Sequence, residues 1–244
     1  MGFPAYQTNR KYFQNMKSIK AGVITLSVLC LLCFKLLGQT PPVKQFELSK
    51  KEKKQGYKIL FDGTSMDHWK GNTKEYVLED GTITMRPLQS ASGNLYSKNT
   101  YSDFILRFEF LLSPAGNNGL GLRHDYVEPK QGYSGMELQI LDNEHASYKD
   151  LEPGQYHGSV YKIIPAKRGF LKPAGEWNMQ EVRAKGDHIQ VILNGETILD
   201  GNLNQATSKL KPGSFQQAVL NKSGHIAFLG HGSVVRFKNI RIKE

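Results

Sequence analysis

A chain of 244 residues with 39% hydrophobic and 10% aromatic content carries enough apolar material for one large β domain or two small ones. The formal charge of +10 hints at nucleic acid, yet Arg10, Lys11, Lys17, Lys20 and Lys35 precede Gln39, where no acidic residue occurs, and residues 39–244 hold 27 basic against 22 acidic residues. Lys50, Lys51, Lys53 and Lys54 supply much of that remainder, and no basic stripe interleaved with aromatics tracks a phosphate backbone, so no nucleic-acid partner is expected.

In chain order, the basic stretch Arg10–Lys20 runs into the uncharged apolar segment Ala21–Phe34, closed by Lys35 and followed by Gly38 and Gln39. That is the architecture of a signal peptide over residues 1–38, with Met16 as a possible initiator, and it implies an exported bacterial protein, periplasmic or secreted. The apolar run is short for a membrane span, so the membrane enters only through this signal if it stays uncleaved. Cys30 and Cys33 both fall inside it, and neither follows the small residue that a lipoprotein signal requires. The mature chain is then free of cysteine, which excludes disulfides, thiol catalysis and thiolate metal sites.

Residues 39–55, rich in Pro, Lys, Glu and Ser, read as a flexible linker, and the folded domain is expected over 56–244. There the pattern is short strands separated by turn signals, with no helical periodicity beyond a turn or two. Asp80-Gly81 and Asn194-Gly195 each sit between strand-like runs and suit tight hairpins. Phe104, Leu106, Phe108 and Phe110 alternate with polar or exposed positions, the mark of a strand with one buried face. In the last strand the apolar positions slip phase between Phe237 and Ile240, which predicts a β-bulge near Lys238–Asn239. Asp142–Gln155 reads as a loop with room for a turn of helix, Gly201–Asn221 as a second loop, and Trp177 as a core residue. About a dozen short strands at this spacing specify an all-β, two-sheet jelly-roll sandwich as one domain.

Polar groups enter buried strand between Asn117 and Asn143. Strict alternation puts Gly119, Gly121 and Arg123 on one face and Leu120 and Leu122 on the other; in the next run Glu137 and Gln139 oppose Leu138 and Ile140. If the two strands pair, an arginine, a carboxylate and an amide converge over a glycine floor, and glycine inside a strand signals close approach of a ligand. His124, His145 and His157, with Tyr126, Tyr133, Tyr148, Tyr156 and Tyr161, share this third of the chain, a composition that suits a sugar, whose C–H face stacks while its hydroxyls need paired donors and acceptors. His231, between Gly230 and Gly232, is a further candidate. Asp142-Asn143-Glu144-His145 holds atoms that a divalent cation could use, although such runs are mostly solvated loops; no metal ligands are assigned and no cofactor is expected. No nucleophile elbow, phosphate loop, zinc-protease helix or dinucleotide fingerprint occurs.

The ordered segments Leu60-Phe61-Asp62-Gly63-Thr64-Ser65-Met66-Asp67-His68-Trp69, Asn117–Arg123, Glu137–Asn143, Gly158-Ser159-Val160-Tyr161, Lys172–Asn178, Gly230-His231-Gly232 and Val235–Ile242 resemble the 3-keto-disaccharide hydrolase family, in order and spacing from about Gly56 to Glu244. The resemblance implies a concanavalin A-like jelly roll and cleavage of small-molecule carbohydrates oxidised to a ketone at C3. Such chemistry removes the acidified C2 proton, expels the C1 substituent and adds water, and it needs a base, a donor facing the enolate oxygen and an acid. On this basis Glu137 and His231 are assigned to proton transfer and Arg123 to the enolate or a hydroxyl. Gln139, Asp142, Lys172, Tyr161, His157 and Asn117 are assigned to substrate binding. Departures are Asn118, Gly121, which would open the pocket, and Leu229-Gly230, where the family carries polar residues that would orient His231. These departures keep open a non-catalytic lectin-like domain, and an endo-glucanase on the same fold, with two carboxylates bracketing a long cleft, is a third reading.

Overall fold

Hydrophobic alternation along the chain produces thirteen strands among the described residues, which are 44–88, 93–126, 134–208, 210 and 215–244 of a computed structural model. They are β1 (Lys58–Phe61), β2 (Trp69–Gly71), β3 (Tyr76–Glu79), β4 (Thr82–Met85), β5 (Asn94–Tyr101), β6 (Phe104–Leu112), β7 (Asn117–His124), β8 (Met136–Leu141), β9 (Trp177–Lys185), β10 (His188–Leu193), β11 (Glu196–Asn202), β12 (Gly224–Gly230) and β13 (Val235–Lys243). The larger sheet runs β11-β10-β9-β6-β13-β4-β3, with β1 also pairing with β13, and the smaller runs β2-β5-β12-β7-β8. Every pairing between strands is antiparallel, so each sheet can bury one face and offer the other to solvent. The jelly-roll sandwich expected from the sequence is the fold.

The inner faces meet in an aromatic core. Phe228 of the smaller sheet stacks on Phe237 of the larger at 3.8 Å and on Trp69 at 5.3 Å, and Phe108 packs edge-on against it. Truncating such a fully buried ring costs about 3–5 kcal/mol. The alternation in β6 is complete, with even-numbered residues buried and odd-numbered ones half-buried. Both hairpin signals act as expected: Asp80 and Gly81, and Asn194 and Gly195, all adopt positive φ, as a type I′ turn requires. The bulge in β13 is present, since the register with β6 shifts between Lys238 and Arg241, with Asn239 at φ +53°.

Three expectations are corrected. The linker does not extend to 55: Lys50–Lys54 form a short helix, α1, closed by a capping box between Ser49 and Glu52. Buried Glu52 accepts from Arg241 Nε at 2.7 Å and from Arg107 Nη1 at 3.3 Å, so α1 is fastened to the sandwich by charge. Residues 1–38, with the expected signal and both cysteines, and residues 39–43 lie outside the described residues, among which no helix is long and apolar enough to cross a membrane. Trp177 is not a core residue but half-buried, with Lys238 Nζ 3.9 Å above its ring. Finally, the second loop contains a helix, α2 (Leu203–Thr207), capped by Asn202, and a 3-10 turn at Phe215–Leu220, while Ala146–Tyr148 and Pro153–Gln155 supply the helical turns foreseen in the first.

Candidate active site

The outer face of the smaller sheet is built from residues that alternate with its core. Inward Leu120, Leu122, Leu138, Ile140, Ile226 and Phe228 fix the register, and this turns Asn117, Gly119, Gly121, Glu137, Gln139, Ala227 and Leu229 outward. Two cross-strand rows result. One reads Lys70, Tyr96, Ala227, Gly121, Glu137 from β2 to β8, and the other reads Asn94, Leu229, Gly119, Gln139 from β5 to β8. Ala227, Leu229, Gly119 and Gly121 occupy the middle, with an acid and an amide at one end and a tyrosine and an asparagine at the other.

At the first end His231, just beyond β12, places Nε2 3.2 Å from Oε1 of Glu137. The Glu137 side chain is 3% exposed and that of His231 is 38% exposed, so the histidine reaches solvent and the carboxylate is enclosed behind it. An ionised carboxylate can only accept, so Nε2 carries the proton and Nδ1 is left with the basic lone pair. Gly119 is what admits the pair: a Cβ there would lie 2.3 Å from Glu137 Oε1. Beside them the side-chain oxygens of Asn117 and Gln139 are buried with no hydrogen-bond partner among the described residues. A buried unpaired carboxamide oxygen costs about 1–3 kcal/mol, and two adjacent ones on this face fit an arrangement that a hydroxylated ligand completes.

The departure at Gly230 is now explained. Gly230 points inward, where a Cβ would meet Gly93 O at 3.0 Å and Met85 Cε at 3.1 Å, and the partner that orients His231 is Glu137 from another strand. The space left by Gly121 is filled rather than opened, since a Cβ there would touch the His124 ring at 2.8 Å and Ala227 at 3.0 Å.

The model of the 3-keto-alpha-glucoside-1,2-lyase-like domain matches residues 56–243. The chain belongs to this family. Membership places it among the glycosidase-type hydrolases. A 3-keto-disaccharide hydrolase of Bacteroides thetaiotaomicron is 29% identical over 227 residues, which cover 77% of this chain and 78% of that protein. A candidate glycosyl hydrolase of Parabacteroides distasonis superposes with a TM-score of 0.72 at 26% identity, over 82% of this chain and 99% of its own. A Bacillus subtilis protein of unknown function with a galectin-like fold, at 14% identity and a TM-score of 0.50 over 72% of this chain and 89% of its own, shares the fold alone.

Within this family member Glu137, His231, Gln139 and Asn117 are gathered on one face, and Tyr161 stands at its border: its N–H donates to Glu137 O at 2.9 Å and its hydroxyl accepts from Gln155 at 3.1 Å. Four other expected residues lie elsewhere. Arg123 is the main correction. Gly121 pairs with Ala227 and His124 with His225, so β7 spends two residues where β12 spends one, and Arg123 takes φ +54° in that bulge. Alternation breaks there, and the 2%-exposed guanidinium turns away to donate to Ser102 O at 2.8 Å, Gly186 O at 2.7 Å and Asn221 O at 3.4 Å, and to Asp103 Oδ1 at 3.3 Å.

His157 is an inner-face residue. Its ring stacks on Phe110 at 5.1 Å, Nδ1 accepts from Leu141 N–H, and burial pushes its pKa down to about 4. Asp142 accepts from Ala115 N–H at 3.0 Å and holds the β6–β7 turn, while Asn143 and His145 accept from the backbone N–H groups of His157 and Ser147. The acidic run therefore spends these atoms on loop structure. Lys172 is exposed and donates from Nζ to Trp177 O on the larger sheet.

Sequence reasoning missed Lys70, Asn94, Tyr96 and His225. The first three lie far upstream of the glycine-rich strand and the last far downstream, and only pairing through β12 and β5 carries them onto the same face. The Tyr96–Ala227–Gly121–Glu137 row has no local signature.

Proposed function

We propose that this protein is an exported carbohydrate-active hydrolase that cleaves 3-keto-glycosides, including 3-keto-disaccharides, by C2 proton abstraction, elimination and hydration. The observation that carries this reading is the Glu137–His231 pair over Gly119 beside two carboxamide oxygens, of Asn117 and Gln139, that have no hydrogen-bond partner among the described residues. Export rests on the basic and apolar segments before Gln39.

A ketone at C3 acidifies the hydrogen on C2. His231 Nδ1 removes that proton, and the electron pair moves into C2=C3 as the C3 oxygen becomes an enolate. The enolate collapses, C1=C2 forms, the C1–O bond breaks, and the leaving oxygen takes a proton from the His231 imidazolium. Water then adds at C1, its second hydrogen reaches C2 by way of His231, and the net change is hydrolysis to a 3-keto sugar and an alcohol. Glu137 holds the ring and offsets the charge it acquires. With Arg123 absent from the face, the Gln139 carboxamide, one row position from Glu137, is the donor for the C3 oxygen, and Asn117 takes a ring hydroxyl. One motive for a lectin-like alternative, a histidine without a polar partner, is answered by Glu137.

Incubation with 3-keto-trehalose or 3-keto-sucrose beside the parent sugars, with and without chelator, tests the reading. Release of monosaccharide from the oxidised forms alone is the expected result, with Glu137→Gln and His231→Ala each reducing turnover about 10²–10⁴-fold. Wild-type rates in both variants would refute the assignment.

A further inference from the structure

The outer face of the larger sheet, across the sandwich from Glu137 and His231, carries a cleft of about 420 Å³ whose accessible lining is chiefly carbon. Ile105, Arg183, Lys185, Gln190 and Lys243 are among the residues around it. Register accounts for its shape. Asp200, Gln190, Arg183, Ile105 and Lys243 form one cross-strand row from β11 to β13. Ile105 is the one apolar residue of that row, so it floors a trough between longer polar side chains. Arg183 and Lys243 occupy the strands on either side of it, about 10 Å apart at the usual strand spacing, so both can reach a single ligand seated on the isoleucine.

The guanidinium of Arg183 is held from one side. Its Nε donates to Glu181 Oε1 at 2.5 Å and its Nη1 to Gln190 Oε1 at 3.1 Å, while Gln190 Nε2 donates to Asp200 Oδ2 at 2.8 Å. One N–H of Nη1 and both of Nη2 are left over, and that edge of the fork takes a carboxylate through two parallel hydrogen bonds. Every carboxylate nearby already has a cation. Glu181 also accepts from Arg107 Nε at 2.5 Å, Asp103 from Arg123 and the Gly186 N–H, and Asp200 lies 2.6 Å from His188 Nε2. Glu244 lies 3.6 Å from Lys58 Nζ. Lys185 and Lys243, in contrast, form no ion pair among the described residues, and Lys243 holds Nζ 5.5 Å from the centre of the Tyr57 ring. The cleft is therefore short of negative charge above an apolar floor.

We propose that this cleft binds a small organic carboxylate, with the apolar body of the ligand on Ile105 and its carboxylate between the free edge of Arg183 and the Lys243 ammonium. An apolar floor with a few converging polar groups is the usual build of a small-molecule site, and a volume of this size accommodates one ring system. Neutral molecules of the same shape lose the charge-assisted bonds, and acetate loses the apolar contact. The inference is independent of the reaction proposed for the smaller sheet.

The test is calorimetric titration of the full protein with 2-naphthoate, 2-naphthol and acetate at low salt, joined to NMR shifts of the Ile105 methyl groups. Saturable binding of 2-naphthoate that moves the Ile105 signals, with 2-naphthol and acetate each about fivefold weaker or more, is the expected result. Arg183→Gln and Lys243→Met should each weaken 2-naphthoate about fivefold or more and leave 2-naphthol unchanged. Should Arg183→Gln lose the fold, because its guanidinium braces Glu181, Lys243→Met decides. Absence of saturable binding, equal affinity for 2-naphthol, signals that move elsewhere than at Ile105, or unchanged affinity in the folded variants would each overturn the site.

Discussion

Gly119→Ala isolates the geometry of the dyad from the fold. A Cβ at 119 would stand 2.3 Å from Glu137 Oε1, 2.9 Å from its Cδ and 3.0 Å from its Cγ, where ordinary contact begins near 3.4 Å. The carboxylate must retreat by about 1 Å, and the 3.2 Å bond to His231 cannot survive a displacement of that size in this direction. The backbone at 119 is not in the left-handed region, so alanine is sterically acceptable there and by itself adds up to about 1 kcal/mol through the unfolded chain. Moving one side-chain terminus offsets a similar amount. Thermal unfolding should therefore shift by only a few degrees, while kcat on a 3-keto-glucoside falls about 10²–10⁴-fold, equivalent to about 3–5 kcal/mol of barrier. Because Gly119→Ala and Glu137→Gln disrupt the same pair, the double variant should be scarcely slower than the worse single one. A folded Gly119→Ala protein with wild-type kcat would show that the carboxylate–imidazole contact is not used.

Groups outside the dyad carry the other expectations. Arg123→Ala leaves carbonyls of Ser102 and Gly186 unpaired at one end of the sandwich and should cost about 3–5 kcal/mol in urea unfolding, whereas a binding-site arginine would cost activity with little loss of stability. Burial pushes both His124 and His157 down to about 4, below an unfolded value of 6.5, so the unfolded state binds more protons between those limits; their contribution is complete above pH 6.5 and lost as pH falls towards 4, at about 2 kcal/mol each between pH 7 and 5. His157→Gln should flatten that slope, and equal stability of the wild type at pH 7 and 5 would contradict the burial argument. Burial raises the Glu52 carboxyl, but the Ser49 hydroxyl and Arg241 more than reverse this and hold it at about 2. Its contribution is therefore present above pH 4.5 and lost only as pH falls towards 2, and Glu52→Ala should release α1 and expose Lys50–Lys54 to trypsin, detectable as early N-terminal trimming.

The sandwich was legible because burial imposes a period of two on a strand with one covered face, and Phe104 to Phe110 display it without exception. The hairpins at Asp80-Gly81 and Asn194-Gly195 and the slip in β13 were legible for a related reason, since each is enforced by the backbone conformation of one or two residues. Half of the site was legible in the same way. Glu137, Gln139, Gly119 and Asn117 belong to two strands adjacent in sequence, and alternation alone puts them on one face. The α1 helix was not, because its lysines have the composition of a tether and its stability comes from Glu52 meeting arginines more than fifty residues away.

What the sequence by itself determined is therefore local: strand phase, turn conformation, and the polar front of β7 and β8. Only the tertiary structure decided the rest. One extra residue in β7 against β12 turned Arg123 from the sugar face to the end of the sandwich, a reversal invisible without knowing the partner strand. Pairing through β12 and β5 set Tyr96 and Lys70 opposite Glu137, and the end of β12 delivered His231 to a carboxylate 94 positions earlier. The physical reason is that alternation is a property of one strand, whereas register is a property of two.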